Sequence, residues 1–323
     1  MKEKIKKTFS YRTIKTAVAS SLALFVAGQL GLAHFATAGI VALLSIQPTK
    51  RKSIAIAGQR FLACLLAMAI GLLIFEIFGY YFFMVGIYFI VAIPILVKLK
   101  LQEGLVVSSV MLLQLYVLEN SSWQLIFNQI AVVAVGLGLA LLVNLFMPNM
   151  TKDLEFDKDK SEVYFRAILA ELVLQLRQQE VASLDAIINS LEQVIEEGIG
   201  LAHIELGNSL RKKKSYYLSY FEMRRKQFHI LKERILPLVE RIQGQYHQGQ
   251  MIAEFLERIA GEFEESNPVD EILKALSDMN VIFREMDLPQ TRREFETRAA
   301  LLSLVNELES FLVLKQEFSF QTK

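Results

Sequence analysis

The sequence predicts an all-α protein in which a six-helix transmembrane bundle is followed by a cytoplasmic helical bundle. Two runs, residues 16–49 and 120–151, contain no Asp, Glu, Lys or Arg over 34 and 32 residues. Apolar runs of about 18 residues or more are typical of membrane spans. The formal net charge is +8 for residues 1–151 and −7 for residues 152–323. These changes predict a transmembrane domain over 1–151 and a cytoplasmic helical domain over 152–323.

The apolar segments of the first domain predict six membrane helices. Their expected positions are residues 16–33, 36–48, 57–78, 80–97, 104–118 and 123–147. The second and fifth helices are short, because a helix of 13 to 15 residues rises only about 20–23 Å against a hydrocarbon core of about 30 Å. We therefore expect these two helices to pack against longer neighbours.

The positions of the basic residues predict the orientation of these spans. Lys and Arg occur at the N-terminus, at Lys50 to Lys52 with Arg60, at Lys98 with Lys100, and from Lys152 onward. The intervening junctions, 79–81 and 119–122, contain neither Lys nor Arg. Because short cytoplasmic loops carry the excess of positive charge, six spans place both termini on the cytoplasmic side. The sequence thus predicts a multi-pass membrane protein with both termini in the cytoplasm.

Small residues recur every four positions on two of the predicted spans. Four-residue spacing aligns side chains on one helix face and lets two backbones approach closely in lipid. The predicted helix-packing residues are Ala19, Ala23, Ala27 and Gly31 on the first span and Ala63, Ala67 and Gly71 on the third. A narrow path lined by backbone is the alternative interpretation of the same stripes.

The second domain has the periodicity of amphipathic helices. Tyr164, Ile168, Leu172 and Leu176 repeat every four residues. Asn267-Pro268 is typical of a helix start, and the segment from Thr291 to Glu294 has the form of a capping box. These patterns predict a bundle of four to six helices.

Sequence motifs of catalysis are absent, so we expect no enzymatic activity, no cofactor and no metal site. The chain has no glycine-rich loop ending in Gly-Lys-Ser/Thr, and its four histidines lack the spacing of paired metal ligands. Nucleic acid is excluded as a partner by the negative charge of the second domain and the lack of a reading motif. The basic clusters 211–214 and 224–226 fit either an anionic ligand or lipid headgroup, or a solvated face balanced by Glu222 and Glu233.

Two segments resemble the aromatic acid exporter superfamily. In the membrane region the resemblance rests on residues 42–49, with the sequence Ala-Leu-Leu-Ser-Ile-Gln-Pro-Thr, then Ser53 and Gln59-Arg60. In the second half it rests on Tyr216-Tyr217 and the run from Met223 to Arg225, with Gln227 and Ile230-Leu231. The chain is most similar to the bacterial member-one type, which joins six spans to one cytoplasmic helical domain. It departs from the usual pattern at Ala63-Cys64, where a glycine commonly follows the arginine of the third helix.

The resemblance implies efflux of aromatic or related organic acids across the plasma membrane of a bacterial cell. Larger exporters of the superfamily carry two six-helix halves, so one half implies a homo-oligomer, with a dimer expected. Membrane lipid and a small organic anion are the other expected partners. A passive organic-anion channel and a non-transporting sensor or scaffold, acting through the cytoplasmic domain, are the alternative functions.

Positive charge at the inner face suggests where an organic anion enters. Arg60 is the strongest candidate, because it follows the basic loop by about two turns and a guanidinium binds carboxylate through two N–H groups. Snorkelling of Arg60 towards lipid phosphate is an equal alternative. The helix break at Gln47-Pro48 frees backbone groups that require protein or water as partners. The candidate pathway residues are Gln47, Pro48, Thr49, Lys50, Arg60 and Lys98.

Overall fold

The protein is all-helical in the computed structural model, which describes residues 11–119, 122–146, 150–180, 183–209, 216–261 and 269–322. Within these ranges the chain forms helices joined by short turns and contains no β-strand. It divides into two compact units. One comprises Met1–Pro148 with Gly207–Lys212, and the other comprises Asn149–Leu206 with Lys213–Lys323.

The described part of residues 11–146 forms six α-helices close to the predicted segments. They are α1 (Tyr11–Gln29), α2 (Ala36–Ser45), α3 (Lys50–Phe78), α4 (Phe82–Lys98), α5 (Leu105–Leu118) and α6 (Trp123–Leu145). A 3-10 turn, Gln102–Gly104, precedes α5. By length and composition, α3 and α6 can each cross a membrane, and α2, α4 and the segment Gln102–Leu118 are shorter apolar helices.

Helix α3 starts seven residues earlier than the apolar pattern predicts. Thr49 has an extended backbone, and its hydroxyl accepts a hydrogen bond from the backbone N–H of Lys52 at 3.3 Å. This N-cap satisfies a donor of the first turn. The basic run from Lys50 to Lys52 consequently lies on the first turn of the helix and not in a loop.

The turn between α1 and α2 is bound to α6. Asn128 accepts a hydrogen bond from the backbone N–H of Ala33 at 2.8 Å and donates one to the Ala33 carbonyl at 2.9 Å. Gly31 has a φ of +65° and no atom within 4 Å of the position a Cβ would take. Gly31 therefore belongs to the turn after α1 and not to the packed face of that helix.

Small residues form the contact between α1, α2 and α6. Ala19, Ala23 and Ala27 are fully buried and pack with alanines of α2 and α6. At Gly136 of α6 an added Cβ would lie 2.7 Å from the backbone oxygen of Ala38. The backbones of α2 and α6 approach so closely that a side chain at Gly136 has no room.

The predicted small residues of α3 are also buried. Ala63 and Ala67 are covered by neighbouring helices, and a Cβ on Gly71 would lie 2.3 Å from Cδ1 of Leu112 on α5. Large apolar side chains cover the outward faces of the six helices instead, among them Phe25, Leu73, Ile90, Val117 and Phe127. Small residues at the helix contacts and large apolar side chains on the outward faces suit a lipid environment.

The second unit is a helical bundle around one apolar core. Its helices are α7 (Thr151–Leu176), α8 (Asp185–Asn208), α9 (Tyr216–Ile230), α10 (Leu236–Glu240), α11 (His247–Gly261), α12 (Val269–Glu285) and α13 (Arg292–Thr322). A π-helical turn, Leu231–Ile235, joins α9 to α10. Pro237 lies just after this π-helical turn. Proline lacks a backbone N–H and its ring crowds the helical turn before it, and the wider π-helical geometry leaves room for that ring.

The periodic residues predicted for the core are confirmed. Ile168, Leu172 and Leu176 are buried, and Tyr164 packs against the same cluster. Half of the capping box predicted at the start of α13 is present, because the Thr291 hydroxyl accepts from the N–H of Glu294 at 3.2 Å, while the Glu294 carboxylate accepts from the N–H of Gln290, one residue before the cap. The predicted cap at Asn267-Pro268 and the basic cluster 211–214 lie outside the described residues.

Candidate functional site

Arg60 lies inside the first unit and links three helical segments. Its side chain is buried, with 7% relative exposure. Nη1 donates to the Ser45 hydroxyl of α2 at 2.8 Å, and Nε donates to the Glu103 carbonyl at 3.0 Å. Ser45 in turn donates to the carbonyl of Val41 at 2.6 Å. These contacts use two of the five guanidinium N–H groups, so the cation is held in place and retains donor capacity.

Gly104 allows the 3-10 turn to come close enough to accept from Arg60. A Cβ at Gly104 would lie 2.3 Å from the Ala63 Cβ and 3.0 Å from the Arg60 Cα. The sequence has Ala63-Cys64 where the related pattern usually has a glycine on the third helix. The close approach at this point depends instead on Gly104, in the 3-10 turn that faces α3. Local sequence does not show that these two segments are in contact.

A second buried cation lies in the same unit. Lys15 Nζ donates to Asn144 Oδ1 of α6 at 3.1 Å, and Asn144 Nδ2 donates to the Ser53 hydroxyl of α3 at 2.7 Å. All three side chains are buried. The sequence analysis identified neither Lys15 nor its partners as a cluster. The available signal was a lysine just before an apolar run and an asparagine near the end of another.

The two clusters share one helix. Ser53 and Arg60 are seven residues apart on α3, which is about two turns and about 10 Å along the axis on the same face. The hydrogen bonds of one cluster reach α1 and α6, and those of the other reach α2 and the 3-10 turn. Two buried cations therefore give the interior of this end of the bundle a positive potential.

The other predicted pathway residues lie nearer the surface. Gln47 is half-buried and Pro48 is exposed in the connection between α2 and α3. Thr49 caps α3, and Lys50, the first residue of that helix, is half-buried. Lys98 is exposed in the last turn of α4, where a cation interacts favourably with the helix dipole.

Polar side chains also lie deeper among the apolar helices. Gln114 of α5 donates to the Thr37 hydroxyl of α2 at 2.7 Å. Gln129 of α6 is 2% exposed, and neither amide atom has a hydrogen-bond partner among the described residues. An unpaired buried amide is costly, and the sequence analysis did not select Gln129. Among the described residues, no group of three or more His, Cys, Asp and Glu is arranged to hold a metal ion.

The motif residues of the second unit form a buried network. Arg224 is 1% exposed and pairs with Glu162 of α7, with Nη2 at 3.4 Å from Oε1. It also donates to the Tyr220 hydroxyl at 3.0 Å and to Gln227 Oε1 at 2.9 Å. Gln227 donates to the carbonyl of Phe311 on α13 at 2.9 Å. The interpretation of cluster 224–226 as a solvated face is therefore wrong for Arg224, which joins α7, α9 and α13.

Burial and the neighbouring Glu162 carboxylate raise the pKa of Tyr220, although Arg224 opposes this shift. The phenol consequently stays protonated and donates to Glu162 at 2.9 Å. Every polar group of this network is thus engaged with another protein group, which is the arrangement of a structural core and not of an open binding site.

Comparison with known families assigns both halves of the chain. Residues 7–147 match the family model described as aromatic acid exporter family member 1. Residues 151–316 match the model of the aromatic acid exporter C-terminal domain. The chain belongs to the aromatic acid exporter family, member 1 type. This membership and the apolar helices indicate a membrane protein and suggest a transporter.

Relatives of this exporter-family chain occur in Bacillus subtilis (strain 168). The uncharacterized protein YqjA is 41% identical over 308 residues, which cover 95% of each chain. The UPF0421 protein YgaE is 32% identical over 141 residues, or 42% of this chain and 39% of that protein. A crystal structure of a Clostridium difficile 630 protein covers 51% of this chain and 98% of its own, at 22% identity and a TM-score of 0.45.

Proposed function

We propose that this chain is an integral membrane transporter that exports aromatic or related organic acids across the bacterial plasma membrane. The observation that supports this proposal most directly is the burial of Arg60 in a chain whose two halves both match exporter-family models. Arg60 has 7% exposure and unused donors, so it suits brief binding of a carboxylate. The apolar outward faces of the helices support the membrane location.

The proposed topology has six spans, with residues 1–151 in the membrane and residues 152–323 forming a cytoplasmic domain. Both termini lie on the cytoplasmic side, an orientation that the alternation of basic and non-basic junctions supports. A homodimer supplies the second six-helix half that larger members of the superfamily carry in one chain. Short α2 and α5 are accommodated by contact with the longer α6 and α3.

Electrostatics provides the mechanism of entry. Exposed cations near the inner face, Arg51, Lys52 and Lys98, raise the local concentration of an organic anion. The buried cations Lys15 and Arg60 then offset the cost of desolvating the carboxylate. Because Ser45 and the Glu103 carbonyl hold Arg60, the guanidinium needs little reorganisation when the anion arrives.

Flux measurements on proteoliposomes test this class of function. The wild-type chain is reconstituted and loaded with radiolabelled benzoate, cinnamate, malate or acetate, and protein-free vesicles serve as the blank. An exporter is expected to move an aromatic acid against its concentration gradient when a proton gradient is imposed. A channel moves the acid only downhill. Flux equal to that of the blank for the whole panel, with the gradient imposed, contradicts transport and favours the sensor or scaffold.

A further inference from the structure

The second unit contains an apolar cleft that the transport proposal does not use. It lies between the C-terminal end of α12, the connection 286–291 and the start of α13, and has a volume of about 490 Å³. Small-molecule sites commonly have volumes of about 300–1,000 Å³. The cleft is therefore large enough for a ligand of one or two rings.

Large apolar side chains line this cleft although water reaches them. Phe283, Leu288, Phe295 and Leu302 contribute to the wall, and Leu288 is 86% exposed. Exposed apolar surface costs about 25 cal/mol per Å² relative to a covered surface. A clustered apolar patch with a concave shape is a feature of binding sites more than of ordinary surface.

The walls are held by hydrogen bonds before any ligand binds. Arg298 of α13 donates to the carbonyl of Asp287 and pairs with Glu294 one turn earlier. Glu294 also accepts from the backbone N–H of Gln290 at 3.0 Å. These contacts fix the connection against the start of α13. A preformed site avoids much of the entropic cost of binding.

Two arginines line the apolar cleft, and Arg298 is already paired with Glu294, so Arg284 is the cation available to a ligand. Arg284 lines the cleft at the end of α12 and has no ion-pair partner among the described residues. The Nε of Arg298 is buried and has no acceptor in the described part of the chain. Asp287 is the one acidic residue in the lining that the structure describes. An apolar wall with a guanidinium at its edge suits a molecule with an apolar body and one negative charge.

We propose that this cleft is a binding site for a small amphipathic carboxylate, whose apolar body packs on Phe295 and Leu302 and whose carboxylate pairs with Arg284. The site lies in the second unit, and the proposal does not rest on transport by the first. It gives the C-terminal domain a ligand-sensing role.

Equilibrium dialysis of the purified full-length chain in detergent tests the proposal, with radiolabelled 2-naphthoate as the probe. Protein-free micelles provide the blank, and unlabelled 2-naphthalenemethanol serves as the uncharged competitor. We expect saturable naphthoate binding that includes one site per chain weakened about tenfold by Arg284→Ala, since losing one charge-assisted contact costs about 1.4 kcal/mol. Leu302→Asp is expected to abolish binding at this site, because it places a like charge on the apolar wall. The alcohol is expected to compete poorly.

Arg293→Ala is the matched control, because Arg293 is exposed in the first turn of α13, close to the cleft in sequence, but does not line the cleft. The proposal is overturned if naphthoate does not bind saturably, or if Arg284→Ala binds like the control. It is also overturned if Arg60→Ala abolishes binding while Arg284→Ala does not, which assigns the acid to the membrane domain. A dimer that Leu302→Asp dissociates identifies a second copy as the occupant and overturns it as well. Binding at the cleft without flux in proteoliposomes leaves this proposal standing and removes the transport proposal alone.

Discussion

Arg224 Nη2 lies 3.4 Å from Glu162 Oε1, and this ion pair connects α9 to α7 inside the second unit. The guanidinium also stacks near the rings of Tyr220 and Phe165, at 5.0 and 5.4 Å from their centroids. Burying two charges is costly, and the surrounding hydrogen bonds compensate for that cost. The residues that carry the family resemblance in this domain therefore serve its structure.

We predict that Glu162→Gln destabilises the second unit by about 3 kcal/mol, because it leaves the Arg224 charge buried without a counterion. Hydrogen exchange of the full-length chain, followed by mass spectrometry, measures the effect locally. Exchange is expected to accelerate in peptides from α7, α9 and α13. Asp159→Asn, an exposed change on α7, provides the control. Wild-type exchange rates in the Glu162 variant contradict the structural role of the pair.

Asp157 is predicted to make the second unit less stable as pH rises. Burial, and then the nearby Glu197 carboxylate, raise the pKa of Asp157. The native state thus holds this proton more tightly than the unfolded state, whose aspartate pKa is about 3.9. Its contribution to stability is greatest at low pH, falls as pH rises through the native pKa, and is then constant.

Asp157→Asn is consequently expected to stabilise the domain at pH 7 and to flatten the pH dependence of its unfolding free energy just above pH 4. Denaturant unfolding of the full-length chain at a series of pH values provides the measurement. If the variant is less stable than the wild type at pH 7, the ionised Asp157 carboxylate stabilises the domain, and the predicted direction of its effect on the unfolding free energy is wrong.

Gly136→Leu is predicted to disrupt the first unit, whereas Gly138→Leu is tolerated. A Cβ at Gly136 meets the Ala38 backbone at 2.7 Å, but nothing lies within 4 Å of one at Gly138. Overpacking typically costs about 1–3 kcal/mol. The group opposite Gly136 is backbone, which shifts less than a side chain to make room for the added leucine. The fraction of chain that remains monodisperse in detergent after heating reports the difference. Equal survival of the two variants rules out the close approach of α2 and α6.

Labelling of introduced cysteines is predicted to show opposite sides of the membrane at the two ends of α4. Tyr81 and Leu99 are both exposed, and the natural Cys64 is buried. In intact cells, a membrane-impermeant maleimide is expected to modify Tyr81→Cys and to leave Leu99→Cys unmodified until the cells are opened. Labelling of both sites in intact cells contradicts the proposed orientation.

The positions of the helices could be predicted from the sequence, because apolar runs and four-residue repeats are local patterns. Six segments were predicted at residues 16–147, and the structure has helices at those places. The start of α3 was placed too late, since the basic run from Lys50 to Lys52 was interpreted as a loop although Thr49 caps a helix there. Hydropathy alone does not identify such a cap.

Contacts between residues far apart in the chain could not be predicted from the sequence. Lys15 and Asn144 are 129 positions apart, and Arg224 and Glu162 are 62 apart, so no local pattern pairs them. Gly104 and Gly136 are important because of the backbone opposite them, and the sequence analysis selected neither, although Gly136 and Ala140 have the four-residue spacing of small residues. The sequence selected Arg60 by charge and position, but only the fold reveals that Ser45 and Glu103 hold it.

The most direct test of the account is efflux of a radiolabelled aromatic acid from proteoliposomes containing wild-type chain, Arg60→Ala or Arg60→Lys, with Arg293→Ala as an exposed basic control outside the proposed entry. Thermal stability of each variant is measured in parallel, so that unfolded protein is not mistaken for a blocked path. We predict protein-dependent efflux that falls at least tenfold in folded Arg60→Ala, is partly retained in Arg60→Lys and is nearly unchanged in Arg293→Ala. Wild-type efflux in folded Arg60→Ala contradicts the claim that this buried cation lies on an acid pathway.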